Sequence, residues 1–386
     1  MTAPSTTTSD IASRWVRRRL ASAARWLTTP VRPDDYLRLV NPLWSVEELC
    51  GRVEAVRPET ADAVTLVIRP GRGWVPHRPG QWVRIGVDID GVRHWRTYSL
   101  SSTPRRPDGR ITITVKAVPD GLVSGHLVRR AEPGMIIGLG RPEGEFVLPE
   151  PPPTRVLFLT AGSGITPVMA MLDSLFAYGA AGSAGLGDAD GARKGTAPRA
   201  KPLDVVLVHS APTAEDVIFG RRLRELAAEF SNLRLYERHT RTDGRLKPTD
   251  LADLCPDWTE RAAWVCGPAQ MLDEITAHWS GPVDQLHVER FRPARPAAVG
   301  GTGGLVRFTR SRREVDADGD TPLLTVGEET GVLMPSGCRM GICYGCLARL
   351  SSGRVRDLRT GRIHGEEGDL IQTCVSAAAG PVEIEL

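Results

Sequence analysis

Four cysteines near the C-terminus constrain this chain more than any other feature. Cys338, Cys343, Cys346 and Cys374 stand as C-x4-C-x2-C, then 27 residues, then the fourth Cys. This is the spacing of a plant-type [2Fe–2S] site. Thiolates are soft ligands that hold iron through a change of oxidation state. Gly337, Gly341 and Gly345 interleave the first three cysteines, and small residues let a loop wrap a cluster with its N–H groups turned towards sulfur. The alternative is zinc, which usually takes two C-x2-C pairs; this segment has one.

The rest of the composition sets the frame. The chain has 386 residues, 25% of them charged and 41% hydrophobic, which suggests two to four ordinary globular domains. A net charge of +3 gives no reason to expect a nucleic-acid partner. Residues 1–40 nevertheless hold seven Arg and three Asp with no Lys or Glu, so the positive charge is concentrated there. No apolar run reaches the ~18 residues of a membrane span, and no apolar signal core opens the chain. A cytoplasmic chain is expected, and its seven cysteines then argue for metal binding rather than disulfides.

Five regions follow from the pattern. Residues 1–47 form a basic segment. Within it 11–27 read as an amphipathic helix, with Ala12, Val16, Leu20, Ala23 and Leu27 on one face, Trp15 and Trp26 beside it, and Arg14, Arg17, Arg18 and Arg25 opposite. Residues 48–150 alternate in short strands (63–68, 81–87, 110–117) cut by Pro-Gly pairs, which predicts an antiparallel β-barrel, with a short helix near 124–130. Residues 151–292 change to apolar strands (155–160, 204–209, 233–238, 262–266, 284–288) separated mostly by helical stretches, the texture of a parallel α/β sheet. In that region Thr213 and Asp216 suggest a helix cap, and the Gly/Ala-rich residues 178–203 a flexible insertion. A Pro/Ala/Gly linker at 293–304 leads to residues 305–386, with short strands, one helix near 322–330 and the cysteine cluster.

Two further motifs carry chemistry. Gly162-Ser163-Gly164-Ile165-Thr166-Pro167 follows a strand and opens a helix, the setting in which glycines let a backbone approach a pyrophosphate. Arg96-Thr97-Tyr98-Ser99 ends a barrel strand. Barrel, α/β domain and these motifs together resemble the ferredoxin–NADP reductase superfamily. The resemblance implies that Arg96 pairs with a flavin phosphate, Tyr98 packs on the isoalloxazine and Ser99 lies near flavin N5. Val115, Ala117, Leu122, Val123 and Ser124 match its second flavin segment, where a helix N-terminus faces phosphate; Ser124 also reads as a plain N-cap. The resemblance puts Thr166 near the flavin as well. It places Cys266, Gly267, Pro268 and Met271, a CGPxxM element, beside the nicotinamide, and gives Glu289 a part in protonation or nicotinamide contact.

His209 and Ser210 end the second α/β strand. Arg241 and Arg245 follow the third, where relatives that use NADPH clamp its 2′-phosphate; two solvated arginines are the alternative. FAD is favoured over FMN, and NADPH over NADH. Ser99, Cys266 and Glu289 are the expected catalytic residues.

The domain order resembles that of the phthalate dioxygenase reductases, with a β-grasp ferredoxin domain last. Residues 35–45, 159–167, 209–212, 338–343, 355–361 and 372–376 resemble more narrowly the actinobacterial reductases that serve membrane-bound stearoyl-CoA Δ9-desaturase. That resemblance implies a desaturase as acceptor, with the 11–27 helix either resting on the inner membrane face or packed on the barrel. A Rieske oxygenase or cytochrome P450 is the other acceptor the toolkit fits.

Overall fold

The computed structural model describes residues 33–104, 106–119, 121–183, 203–291, 301–337, 339, 341 and 344–386. The expected helix at 11–27, most of the insertion, much of the second linker, Cys338 and Cys343 lie outside these residues.

Helix α1 (Pro33–Val40) precedes the barrel. The barrel strands are β1 (Cys50–Thr60), β2 (Ala63–Pro70), β3 (Trp82–Ile89), β4 (Val92–Ser99), β5 (Ile111–Lys116) and β6 (Ile136–Leu139). They pair in the order β4-β3-β6-β1-β2-β5. The two edges meet again where Leu100 bridges to Ile113, so the sheet closes. Val53, Leu66, Val83, Ile85, Ile113 and Ile137 fill its interior. At the seam, buried hydroxyls satisfy one another: Ser101 Oγ lies 2.9 Å from Thr112 Oγ1 and 3.1 Å from Thr114 Oγ1, and Thr114 lies 2.8 Å from Thr65. Cross-strand Thr/Ser pairs of this kind each stabilise a sheet by roughly 0.2–1 kcal/mol. Helix α2 (Leu122–Arg130) packs on β5, β2 and β3.

The second domain is a five-stranded parallel sheet in the order β11-β10-β7-β8-β9. Its strands are β7 (Arg155–Ala161), β8 (Asp204–Ala211), β9 (Leu233–His239), β10 (Ala262–Cys266) and β11 (Leu286–Glu289). Helices α3 (Ile165–Ser183), α4 (Gly220–Glu229), α5 (Thr240–Asp243), α6 (Pro248–Leu254) and α7 (Ala269–His278) connect them. The chain reverses direction across the sheet between β7 and β10, and ligands bind at the C-terminal ends of strands beside such a reversal. Two sequence expectations shift. Helix α3 runs on to Ser183, into the stretch read as insertion. Thr213 caps no long helix: it opens a single turn at Ala214–Asp216, where its hydroxyl bonds Asp216 at 2.9 Å. The helix proper waits until Gly220, after Phe219 turns left-handed at φ 62°.

Barrel and α/β sheet share a core. Ala63, Phe146 and Leu148 pack with Phe158, Met171, Leu175 and Trp264, and Trp264 Nε1 donates to the Val147 carbonyl at 3.3 Å. The third domain has its own core, built on Phe308, Leu323, Leu350, Ile371 and Ile384. Its strands are β12 (Gly304–Phe308), β13 (Arg313–Ala317), β14 (Leu347–Asp357), β15 (Ile363–His364), β16 (Leu370–Gln372) and β17 (Ser376–Ile384), with helix α8 (Leu323–Glu329). The order β13-β12-β17-β14-β15 includes a parallel β12–β17 pair, and β16 pairs with β14. This is the α+β arrangement expected for residues 305–386.

Candidate functional site

On the barrel side, Arg96 and Tyr98 lie two residues apart on β4. Arg96 is half-buried, and among the described residues its one hydrogen bond is to the Trp95 carbonyl, 2.8 Å from Nη1. Burial, and then Arg339, disfavour its charge. A half-buried guanidinium in that state is stabilised by an anion, so the position suits a phosphate. Burial pushes the Tyr98 hydroxyl well above its ordinary range, so it stays neutral, packed along the barrel core. Ser99 is buried at the end of the strand. The next residue bridges to β5, which carries Val115 inside the barrel; Ala117 donates its N–H to the Asp62 carbonyl at 2.7 Å.

Helix α2 corrects the reading of Ser124. Gly121, not Ser124, is the N-cap, and no side chain caps it. Ser124 lies inside the first turn, its Oγ 3.3 Å from Val118 N and 3.4 Å from the Gly121 carbonyl. Leu122 is exposed and Val123 buried. The uncapped first turn leaves N–H groups for a phosphate.

On the α/β side, Glu237, His209, Thr160, Cys266 and Glu289 stand in register across β9, β8, β7, β10 and β11. Residues in register on a parallel sheet share a face, so they form a polar row at its C-terminal rim. Thr160 Oγ1 lies 2.8 Å from His209 Nδ1. Burial holds His209 down at about 4, so its ring is neutral. His209 Nε2, Ser210 Oγ, Glu237 Oε1 and Glu289 Oε2 are buried with no hydrogen-bond partner among the described residues. Buried polar atoms are nearly always paired, and four orphans at a sheet rim are what a polar ligand would satisfy. Burial, and after it Glu289, raise the Cys266 thiol well above its ordinary value, which favours the protonated form over the thiolate that a nucleophile needs.

Gly162 turns left-handed at φ 53°, and Ser163 accepts from Thr166 Oγ1 at 2.9 Å, with Pro167 following in the first turn of α3. A Cβ on Gly164 would lie 2.0 Å from the Cys266 carbonyl oxygen and 3.0 Å from Gly267 N. Only glycine permits that approach. The same turn touches β5 of the barrel. The structure thus brings the glycine loop, the CGPxxM element and the second flavin segment together. Gly267 fits closely beside Met271 and Ala161, and Pro268 caps α7. Arg241 and Arg245 are both exposed. Arg245 Nη1 bonds Gln270 Oε1 at 2.7 Å, and Arg241 N bonds the Pro212 carbonyl at 3.1 Å.

Burial pushes the Glu289 carboxyl from 4.5 up to about 8, so it holds a proton at neutral pH. A raised carboxyl pKa favours the folded state below the unfolded value and is lost as a source of stability as pH climbs to the folded one. Glu289→Gln should therefore match wild type in thermal unfolding near pH 4.5 and become progressively more stable than it up to about pH 8, with no further change above. Parallel melting curves across that range would place the carboxyl in water.

In the third domain, Cys346 and Cys374 are buried with sulfurs 3.2 Å apart, too far for a disulfide and placed to bind one metal centre. Thr373 fixes this pair, its N and Oγ1 both bonding the Cys346 carbonyl, at 3.2 and 2.9 Å. Gly341 turns left-handed at φ 73°, and its carbonyl accepts from Arg359 Nη1 at 3.1 Å and Gln372 Nε2 at 2.9 Å. Asp357 holds Arg359 through two bonds of 3.1 and 2.6 Å. Arg359, Gln372 and Thr160 are the residues sequence reasoning passed over. All three lay within segments that marked the resemblance, Thr160 two residues before the glycine loop.

Flavin strand, nucleotide loop and thiolate loop in one chain define an NAD(P)H oxidoreductase that carries FAD and a [2Fe–2S] cluster. The pattern of the oxidoreductase FAD-binding domain matches residues 74–148, and that of the 2Fe-2S iron-sulfur cluster binding domain matches residues 306–379. The chain belongs to this family of flavin- and iron–sulfur-dependent ferredoxin reductases. It is 47% identical over 372 residues to an NADPH oxidoreductase of Mycobacterium tuberculosis, covering 95% of this chain and 92% of the relative. It is 32% identical over 330 residues to the ferredoxin reductase component of 3-ketosteroid-9-alpha-monooxygenase from Mycolicibacterium smegmatis, covering 79% of this chain and 86% of that one. Among solved structures, phthalate dioxygenase reductase shares the fold with a TM-score of 0.58 at 22% identity, over 87% of this chain and 97% of that chain.

Proposed function

We propose that this chain takes hydride from NADPH and delivers single electrons through its ferredoxin domain to a separate oxygen-activating iron enzyme. Bound flavin and cluster supply the two-electron to one-electron conversion; the protein positions and insulates them. The observation that carries this reading is that one chain joins a half-buried Arg96 on the flavin strand, a glycine turn seated against the Cys266 carbonyl, and a buried Cys346–Cys374 pair with sulfurs 3.2 Å apart. Arg96 would hold the flavin phosphate, Tyr98 and Ser99 would line the ring, and the Gly162–Gly164 turn, Thr166, Cys266 and Glu289 would frame the nicotinamide. Cys338, Cys343, Cys346 and Cys374 would ligate the cluster.

Arg241 and Arg245, exposed beyond β9, suit the 2′-phosphate of NADPH, and the most extended relative described above is named for NADPH. Relatives named for their acceptors serve monooxygenases acting on glycine betaine and 3-ketosteroids, which supports an oxygenase as acceptor. A membrane stearoyl-CoA desaturase is the second reading. Residues 35–45, 355–361 and 372–376 favour it, as does the Arg-rich segment 11–27, which would rest on an anionic membrane face.

Two measurements test the proposal. Steady-state turnover with NADPH should exceed that with NADH at least tenfold in kcat/KM, and Arg241→Ala should erase most of the difference; equal use of both nucleotides by wild type would remove the NADPH assignment. Reconstitution with desaturase membranes and with a Rieske oxygenase then separates the acceptors by which product, alkene or hydroxylated compound, depends on this protein.

A further inference from the structure

We propose that helix α1 is the docking face for the chain's own arginine-rich segment, residues 11–27, which folds back across residues 28–32 to cover it. The inference concerns the N-terminal segment and not the electron exit, so it holds for either acceptor.

Helix α1 is held inside out. At about 100° per residue, Asp34 and Arg38 share one side of it, and Tyr36, Leu37, Leu39 and Val40 spread over the other. The polar side is the one fastened to the protein. Asp34 accepts from Ser45 Oγ at 2.5 Å, Val46 N at 2.9 Å and Glu47 N at 3.4 Å, and Arg38 pairs with Glu48. The end of the helix is fixed as well. Asn41 accepts from Leu43 N at 3.1 Å, Leu43 is buried, and Arg72 lies over the Trp44 ring at 5.2 Å. The apolar side is left facing outward. Leu39 is 81% exposed and Val40 73%, and Tyr36, Leu37 and the adjoining Val46 are exposed too. A surface helix normally turns its apolar stripe to a core. One fastened the other way round offers that stripe to a further element.

Chain length, pattern and charge name the occupant. Residues 1–32 lie outside the described residues and end directly at Pro33, so residues 28–32 tether the segment beside α1. Connections of about 2–8 residues join neighbouring antiparallel helices, and so short a tether sets a local concentration on the order of millimolar. The segment also carries a matching surface, with Leu20, Ala23 and Leu27 on its apolar face and Trp26 beside them. As a helix it would run about 25 Å against about 12 Å for α1, so its C-terminal half would cover α1. The charges are opposite. Residues 1–33 hold six Arg and one Asp, whereas residues 34–48 hold one Arg, two Asp and two Glu. Arg19, the arginine that falls on the apolar side of the wheel, then meets an acidic margin. An anionic lipid surface would meet those same acids with like charge. Docked in this way, the segment keeps Arg14, Arg17, Arg18 and Arg25 outward and withholds its apolar residues from a membrane until it is released.

Hydrogen exchange of the full holoprotein, followed by mass spectrometry over residues 11–27, tests this. Those amides should exchange at least about tenfold more slowly than an unstructured chain. The paired change Leu39→Ser with Val40→Ser, on exposed positions of α1, should remove that protection, because docking buries both side chains. Arg19→Glu should lower it about threefold through the lost charge pair. NADPH-driven ferricyanide reduction should be unchanged in both variants, since neither site touches flavin or nucleotide. Unprotected amides in the wild type, or protection that survives the change in α1, would overturn the proposal. Protection seen only with phosphatidylglycerol vesicles would give the face to a lipid surface, and protection lost on dilution would give it to a second copy of the chain; either result overturns it as well.

Discussion

Cys346→Ser should abolish delivery of electrons to a protein acceptor, by a thousandfold or more, while NADPH still bleaches the flavin absorbance and still supports ferricyanide reduction. Serine preserves the size of the side chain but replaces a soft thiolate by a hard hydroxyl. The site gives that change nowhere to hide. Cys346 is 2% exposed, its sulfur lies 3.2 Å from that of Cys374, and Thr373 grips its carbonyl. Iron content and the EPR signal after anaerobic reduction should vanish together. The ferredoxin domain should also unfold at lower temperature, because bound metal contributes folding free energy. If a protein acceptor were reduced at the wild-type rate, electrons would be leaving from the flavin domain, and the C-terminal domain would need another role.

Gly164→Ala should slow reduction of the flavin by NADPH about a hundredfold, with flavin and iron content unchanged. The added methyl would sit 2.0 Å from the Cys266 carbonyl oxygen and 2.5 Å from its carbon. Both obstacles are backbone at the end of a central strand, so the glycine loop must move instead. A misplacement of about 1 Å in a positioning group costs on the order of 10²-fold in rate. Stopped-flow mixing with NADPH measures it directly. A rate within twofold of wild type would mean that the loop stands clear of the reacting nucleotide. Cys266→Ala in the same background should recover little, because the clash is with main chain.

The contrast between these two sites shows what could be read from the sequence. Cysteine spacing is a local signal with few chemical solutions, and Cys346 and Cys374 meet as it requires. The glycine loop was legible because it sits between an apolar strand and a helix, which are periodic features. The strand pattern from 63 to 68 and from 155 to 160 likewise reports burial, and burial is what closes the barrel and stacks the parallel sheet. Contacts between distant residues leave no such trace. His209 and Thr160 are 49 positions apart, and nothing near either predicts that one would hydrogen-bond and orient the other. Arg359 and Gly341 are 18 apart, so the brace on the cluster loop emerges only once β14 has folded back. Thr213 and Ser124 failed as helix caps for the opposite reason. Their local chemistry suits a cap, but Gly121 and Phe219 decide where each helix starts through backbone conformation that a side-chain pattern does not encode.

The packing of Ala63, Phe146 and Leu148 into the same core as Phe158, Met171 and Trp264 has a thermodynamic consequence. Barrel and α/β sheet each keep an interior of their own, but the shared cluster ties the two together, so they should lose structure in one cooperative transition. The ferredoxin domain, with its independent core, is free to melt in another. In calorimetric terms the protein is two bodies rather than three, and the boundary between them falls at the hand-over from hydride to single electrons. A lineage can therefore exchange its output module without disturbing the half that handles the nucleotide.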